Sequence, residues 1–269
     1  MKKLKVGLIG CGTIGAALAK AVSKRFSKYA SASFICDTHS EKAEKLKKEI
    51  RGVRVVSFET LISGSDLIIE AASAAISGKA ARLALQKNKQ IVVLSVGGLL
   101  ADTSIFKLAA NTKGKLWIPS GAITGIDGIS AAKEADIESV KIVTRKPPAG
   151  LREAPYFSGK EFPDLKGDEE VCVFKGNTLQ AVKAFPQNIN VAAVLSLAGI
   201  GPEKTGVEIW TSNAYRFNRH EVTAEGSFGK MTTVSENRPS PDNPKTSALA
   251  IYSAIALLRK IFLNIRIGT

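Results

Sequence analysis

The chain has 269 residues, with 38 Lys+Arg against 24 Asp+Glu, a formal net charge of +14, and 45% hydrophobic and 23% charged residues. This is the composition of a globular chain and excludes a disordered one, and the length allows one large domain or two modest ones. No apolar run reaches the ~18 residues that cross a bilayer, and Gly7, Gly10, Gly12 and Gly15 interrupt the segment after the basic start, so no signal peptide, no membrane partner and a cytoplasmic location are expected. Three dispersed cysteines (Cys11, Cys36, Cys172) and two histidines (His39, His220) give neither a disulfide framework nor a zinc knuckle, and no metal is expected. The densest basic group (Lys42, Lys45, Lys47, Lys48) is interleaved by Glu41, Glu44 and Glu49 and reads as a solvated helix face. With no nucleic-acid motif beside it, the basic field suits the capture of small dianions rather than nucleic acid.

Short apolar runs alternate with helical patterns over the first 120 residues, which predicts βαβ units and a parallel sheet. Strands are expected at 5–9, 33–36, 53–56, 66–70, 90–94 and 115–118, and helices at 14–26, 41–50, 75–86 and 104–110. Thr38 and Glu41 have capping-box spacing. From residue 140 to 236 the pattern is mostly strand-like alternation (141–145, 170–174, 207–211, 220–224, 230–235), interrupted by one apolar helix at 191–198. Residues 147–166 are polar, contain proline, lack periodicity and read as an extended loop. The tail from Asn243 reads as a helix, with Asn243 as N-cap and Pro244 in the first turn. The predicted organisation is a dinucleotide-binding unit at 1–120, a smaller, β-rich unit at 121–242, and a terminal helix at 243–269 returning to the first unit.

Gly10-Cys11-Gly12-Thr13-Ile14-Gly15 follows a strand and opens a helix, the required context for a G-x-G-x-x-G dinucleotide loop. Gly10 makes the turn, Gly12 lets the backbone approach a pyrophosphate, and Gly15 lets the helix pack closely on the strand. Asp37, at the end of the second strand, is placed to accept hydrogen bonds from the adenosine ribose of NAD. His39 and Lys42 follow it and would soften the repulsion of a 2′-phosphate, so the cofactor is NAD or NADP. Ala71-Ala72-Ser73 and Ser95-Val96-Gly97 follow the fourth and fifth strands, where a ligand crevice lies, although each also serves as a tight strand-to-helix turn.

His220 shares strand parity with Val222 and Ala224, so it points to the covered face, either as a core histidine or as an acid/base group. Asn188 and Asn190 are spaced to reach one ligand, and Asn190 equally suits an N-cap. Lys146 and Lys245 are candidate cations for a substrate carboxylate, or plain surface lysines. Cys11 is assigned no chemistry.

These residues carry a resemblance to the L-aspartate dehydrogenases of archaea and bacteria, running nearly end to end. Its specific landmarks are Ser120-Gly121-Ala122-Ile123, Thr144-Arg145-Lys146, Phe185-Pro186-Gln187-Asn188-Ile189-Asn190-Val191, His220-Glu221 and Asn243-Pro244-Lys245-Thr246-Ser247; the glycine loop, Glu70-Ala71-Ala72-Ser73 and Ser95-Val96-Gly97 are shared more widely. The resemblance implies an α/β fold, a Rossmann domain joined to a smaller, mostly antiparallel α/β domain of the dihydrodipicolinate reductase kind. It implies oxidation of L-aspartate with NAD or NADP, through iminoaspartate, to oxaloacetate and ammonia, at the start of NAD biosynthesis. The family's acid/base histidine falls on His220, and its nucleotide contacts extend to Ala122 and Asn188. Within the landmarks, Ser120, Lys146, Asn190, Lys245 and Thr246 are the candidates for holding substrate. Gly97-Gly98 stands where some members have Gly-Ala, which predicts a looser nicotinamide loop, and residues 149–170 form a longer stretch than the family leads one to expect. A homodimer is expected. Competing assignments are another Rossmann oxidoreductase, of the dihydrodipicolinate reductase or homoserine dehydrogenase type, and a NAD-binding redox-sensing regulator.

Overall fold

The computed structural model describes residues 3–186, 189–240, 243–263 and 265–268, with the side chains of Asn243, Pro244 and Lys245 outside the described set. The chain divides into two compact units, Met1–Pro119 with Ile251–Arg266, and Ser120–Ala250 with Ile267–Thr269. Among the described residues no helix is long and apolar enough to cross a membrane.

The first unit runs β1 (Leu4–Ile9), α1 (Thr13–Lys24), β2 (Ala30–Cys36), α2 (Ser40–Glu49), β3 (Arg54–Val55), α3 (Phe58–Gly64), β4 (Leu67–Glu70), α4 (Ala74–Gln86), β5 (Gln90–Val93), α5 (Ser104–Ala110) and β6 (Lys115–Trp117). All six strands are parallel, in the order β3-β2-β1-β4-β5-β6. Helical cover on both faces explains why Leu67, Ile68, Ile69 and Glu70 are all buried. Strand order reverses between β1 and β4, and ligands of such sheets bind beyond the carboxyl ends at that point. The expected capping box at Thr38 and Glu41 does not form. Asp37 Oδ1 accepts the His39 N–H at 2.8 Å and pulls the turn tight, α2 begins at Ser40, and the Thr38 hydroxyl meets His39 Nδ1 instead.

The second unit runs α6 (Ile126–Ala132), β7 (Ile137–Lys146), β8 (Val171–Asn177), α7 (Thr178–Ala184), α8 (Asn190–Ala198), β9 (Gly206–Thr211), β10 (Asn218–Gly226), β11 (Gly229–Asn237), β12 (Pro239–Ser240) and β13 (Asn243–Ser247), and α9 (Ala248–Phe262) follows it in the chain. Its five-stranded sheet has the order β11-β10-β7-β9-β8, antiparallel except for the parallel pair of β7 and β9. Alternation buries Ile142, Thr144 and Lys146 on β7, Val207, Ile209 and Thr211 on β9, and His220, Val222 and Ala224 on β10. Val191, Ala192 and Leu195 of α8 share the resulting core. α8 begins at Asn190 with Ile189 as its N-cap, so Asn190 is not the cap.

One further expectation is corrected. The terminal helix starts at Ala248, not at Asn243, because residues 243–247 lie extended and pair with β12, Pro239 opposite Ser247 and Ser240 opposite Asn243. Thr246 and Ser247 are weak helix residues, and the buried stripe of α9 (Ile251, Ala254, Ile255, Leu258) begins only after them. From Ile251 onward that helix belongs to the first unit and its core. Residues 147–166 form a loop, as expected, with only two single turns of 3-10 helix, and the loop is packed into the unit. Leu151 and Ala154 are buried, and Tyr156, Phe157 and Phe162 form an aromatic cluster with Phe174 and Phe185, the Tyr156 and Phe185 rings lying 5.1 Å apart. Asn213 holds the far end by donating from Nδ2 to the carbonyls of Leu165 and Gly167.

Candidate active site

The three glycines after β1 have different causes. Gly10 has φ +90°, and a Cβ there would lie 2.6 Å from the Ala71 carbonyl oxygen. A Cβ on Gly15 would overlap the Gly10 carbonyl oxygen. Gly12, the exposed N-cap of α1, has ordinary backbone angles, and a Cβ on it would meet nothing within 4 Å. The protein itself therefore makes no demand for glycine at this position. The open space lies at the start of α1, beside Thr13 and Ile14, where the first-turn N–H groups have no partner within the helix, and a dinucleotide pyrophosphate fits it.

Asp37 closes one side of this loop. Its Oδ2 accepts the Cys11 N–H at 2.6 Å and its Oδ1 the His39 N–H at 2.8 Å. Burial opposes ionisation, but these two amides and nearby Lys42 outweigh it and hold the carboxyl below its usual range. A fixed negative charge thus stands at the end of β2, where a ribose diol would be recognised and a 2′-phosphate repelled. Cys11 and Cys36 lie beside it, and burial raises their thiols to about 12 and about 11, which leaves both unreactive.

The loops after β4 and β5 converge on one residue absent from the sequence-derived site. Glu70 is fully buried, and its Oε1 accepts the N–H groups of Ala72 (2.8 Å) and Ser73 (3.1 Å) and the Ser95 hydroxyl (2.9 Å). Its Oε2 accepts the Ser95 N–H at 3.0 Å. Burial pushes its pKa up while the four donors act against that. The Ser95 side chain, a candidate cofactor contact, is therefore turned inward to Glu70. Val96 and Gly97 are buried beyond it, and Ala71 is half-buried with Ala72 and Ser73 exposed. The expected looseness at Gly97-Gly98 is not found, because a Cβ on Gly98 would overlap the Ala74 carbonyl and the Ser77 hydroxyl at the start of α4. The signal that marked Glu70 in the sequence was a carboxylate ending an apolar run, where a buried charge must find partners.

The second unit gathers its polar groups on the buried face of its sheet. His220 lies opposite Thr144 on β7 and Ser235 on β11, and its Nδ1 is 3.0 Å from Thr144 Oγ1. Burial, then the positive charge of Lys146, pushes the imidazole down to about 3. Burial alone lowers Lys146 to about 8. Ser235 Oγ (2.9 Å) and Asn237 Nδ2 (2.8 Å) both donate to the Ala122 carbonyl, fixing the chain beside half-buried Ser120. Thr144, Ser235 and Asn237 belong to this constellation although sequence inspection singled out none of them as site residues. His220 and Lys146 are brought together, and Ala122 is tied to the strand next to His220. Thr246 is half-buried on β13, Asn190 opens α8, and Asn188 and the Lys245 side chain lie outside the described residues. Among the described residues no group of His, Cys, Asp and Glu is arranged to hold a metal ion.

Residues 10–118 match the family described as homoserine dehydrogenase, NAD binding domain, and residues 127–261 match the family described as aspartate dehydrogenase, C-terminal. The L-aspartate dehydrogenase of Methanosarcina mazei is 44% identical over 99% of this chain and the whole of that protein. The chain belongs to the L-aspartate dehydrogenase family. A second aspartate dehydrogenase, from Methanococcus maripaludis, is 41% identical over 99% of this chain and all of its own length. The crystal structure of the aspartate dehydrogenase from Thermotoga maritima superposes with a TM-score of 0.77 at 27% identity, covering 99% of this chain and 100% of that one. The homoserine dehydrogenase likeness is confined to the nucleotide-binding part, whereas the aspartate dehydrogenase likeness spans both units. The fold is thus that of the aspartate dehydrogenases, a Rossmann unit with a smaller, mostly antiparallel α/β unit.

Proposed function

We propose that this protein catalyses the NAD(P)-dependent oxidation of L-aspartate to iminoaspartate and its hydrolysis to oxaloacetate and ammonia, and the reverse reaction. The full-length likeness to aspartate dehydrogenases carries this conclusion. When bound, NAD or NADP supplies the acceptor for the hydride that leaves the aspartate Cα. The protein's part is orientation, because hydride transfer needs the two carbons held at near-attack separation. The loop at residues 10–15 and Asp37 take the adenosine and pyrophosphate. The loops at 71–73 and 95–97, with Ala122 and Asn188, take the nicotinamide end.

His220 is the acid/base group. The α-amine reacts as the neutral form, and His220 then accepts a proton from the water that adds to the imine carbon. Returning that proton to nitrogen lets ammonia leave as the C–N bond breaks, and His220 takes the remaining proton, from the carbinolamine hydroxyl, to give the ketone of oxaloacetate. A pKa of about 3 keeps the imidazole neutral before substrate arrives. A dicarboxylate bound against Lys146 and His220 favours their charged forms, which keeps Lys146 a cation and raises His220 toward neutrality, arming it as a base only when substrate is present. Lys146, supported by Ser120, Asn190, Lys245 and Thr246, holds the substrate carboxylates.

The protein acts in the cytoplasm at the first step of NAD biosynthesis, takes neither nucleic acid nor membrane as partner, and works as a homodimer. Support for the dimer comes from the second sheet, which buries one face and leaves Thr232 and Val234 exposed on the other. Light scattering that returned a monomer at assay concentration would refute it. The reaction is tested by absorbance at the reduced-nicotinamide band, with NAD or NADP and L-aspartate, D-aspartate, L-glutamate, L-alanine and L-homoserine, and with oxaloacetate plus ammonium in reverse. Turnover with L-aspartate alone is expected; none in either direction would overturn the substrate assignment.

A further inference from the structure

We propose that Glu70 is the positioning residue for the nicotinamide half of the dinucleotide, one buried carboxylate that sets the loops after β4 and β5 as a single platform. The inference rests on the dinucleotide-binding function proposed above and adds a residue to it. Glu70 is not a catalytic residue, since its four partners all belong to the protein.

The donor set explains why a carboxylate occupies this place. Three backbone N–H groups and one hydroxyl converge on two oxygens, and an ionised carboxylate is the acceptor-only group that satisfies them all. Among the described residues no cation pairs with it; its hydrogen bonds come from two loops that are separate in sequence. A buried anion held only by hydrogen bonds is a poor way to gain stability, because an apolar side chain of similar volume avoids the desolvation cost. It is an effective way to hold two backbone segments in register. The same platform is tightened from the other side at Gly98, which has no room for a side chain beside Ala74 and Ser77. Both loops follow the carboxyl ends of strands next to the switch point, where the nicotinamide end of a dinucleotide lies.

Glutamine makes a sharp probe, since no orientation of its amide suits this cage. With its nitrogen at the Oε2 position it faces the Ser95 N–H, and at the Oε1 position it faces two N–H groups. The experiment compares wild-type protein, Glu70→Gln and Ser95→Ala, titrating each with NADH and with ADP-ribose, which lacks the nicotinamide. In Glu70→Gln, ADP-ribose affinity is expected to stay within about twofold, while NADH affinity falls about tenfold, the effect of one buried donor left unpaired. Ser95→Ala removes one bond to the carboxylate and leaves three, so a smaller loss confined to NADH is expected, and it carries the test if Glu70→Gln does not fold. Equal loss of NADH and ADP-ribose, or NADH affinity unchanged in both variants, overturns the proposal. Wild-type protein binding neither ligand would instead bring down the dinucleotide assignment on which it rests.

Discussion

Thr144 Oγ1 and His220 Nδ1 lie 3.0 Å apart on neighbouring strands, both side chains buried. A hydroxyl both donates and accepts, so this contact serves either imidazole tautomer without any heavy atom moving. His220 Nε2 can therefore present a lone pair in one direction of the reaction and a proton in the other. Thr144→Val keeps the shape but leaves Nδ1 unpaired, at a cost of about 1–3 kcal/mol. The variant is expected to lose roughly tenfold or more in kcat, with a displaced pH profile and little change in KM for NAD. Thr144→Ser is expected to restore most of the rate, and a serine variant as slow as the valine one would show that the hydroxyl is not what matters.

Asp37 is the expected determinant of nucleotide choice. Its carboxylate is fixed by the Cys11 and His39 amides with only 10% of the side chain exposed, so it cannot swing away from an incoming 2′-phosphate. Asp37→Ser removes the repulsion and is expected to move the NADP-to-NAD ratio of kcat/KM toward NADP by about tenfold or more, since one charge pair at ~4 Å is worth about 1 kcal/mol in bulk water and about 4 kcal/mol near a protein surface. A ratio unchanged by the substitution would place the discriminating contact elsewhere.

The fingerprint glycines separate binding from stability. A Cβ on Gly15 overlaps the Gly10 carbonyl, and Gly15→Ala is expected to cost about 1–3 kcal/mol in urea unfolding through overpacking. Gly12→Ala places its methyl in open space, so its melting temperature should stay close to that of the wild type while dinucleotide affinity falls about tenfold. If Gly12→Ala binds NADH as wild type does, the open space over α1 is not the pyrophosphate site.

Stability should fall on acidification because of His220. Its folded value is about 3 against 6.5 in the unfolded chain, so between these limits the unfolded state takes up a proton that the folded state refuses. Lys146 is lowered to about 8 from 10.5, so it makes the fold more stable as pH rises from 8 to 10.5 and adds no slope below 8. Glu70, raised by burial, works against His220, since the folded chain holds its proton to higher pH than the unfolded one. The difference between wild type and His220→Gln isolates the histidine from Glu70. Urea midpoints at pH 7 and pH 5 should drop more in wild type than in the variant, and equal drops would place the acid sensitivity elsewhere.

The parallel sheet was legible because strands covered on both faces are written as apolar runs, as at Leu67-Ile68-Ile69. His220 was legible by strand parity with Val222 and Ala224. α3 was not, since its seven residues bury only Leu61 and Ile62, too few for a helical period to show. Thr144 stood out only as a family landmark, and its role beside His220 was not legible because that partner lies 76 positions away and meets it only across paired strands. The same holds for residues 147–166, whose aromatic rings find Phe174 and Phe185 only after the sheet has formed. Asn243 misled because its N-cap chemistry is real but local, and pairing with β12 overrode it.

Ile251, Ala254, Ile255 and Leu258, near the carboxyl terminus, complete the core of the unit that contains the amino terminus. During synthesis the first 119 residues therefore leave the ribosome without the helix that seals them, whereas among the described residues the buried apolar core of the second unit runs from 122 to 224, with Met231 and Ala250 packed against it. The unit that carries the glycine loop keeps apolar surface uncovered until residues 251 to 258 have been released.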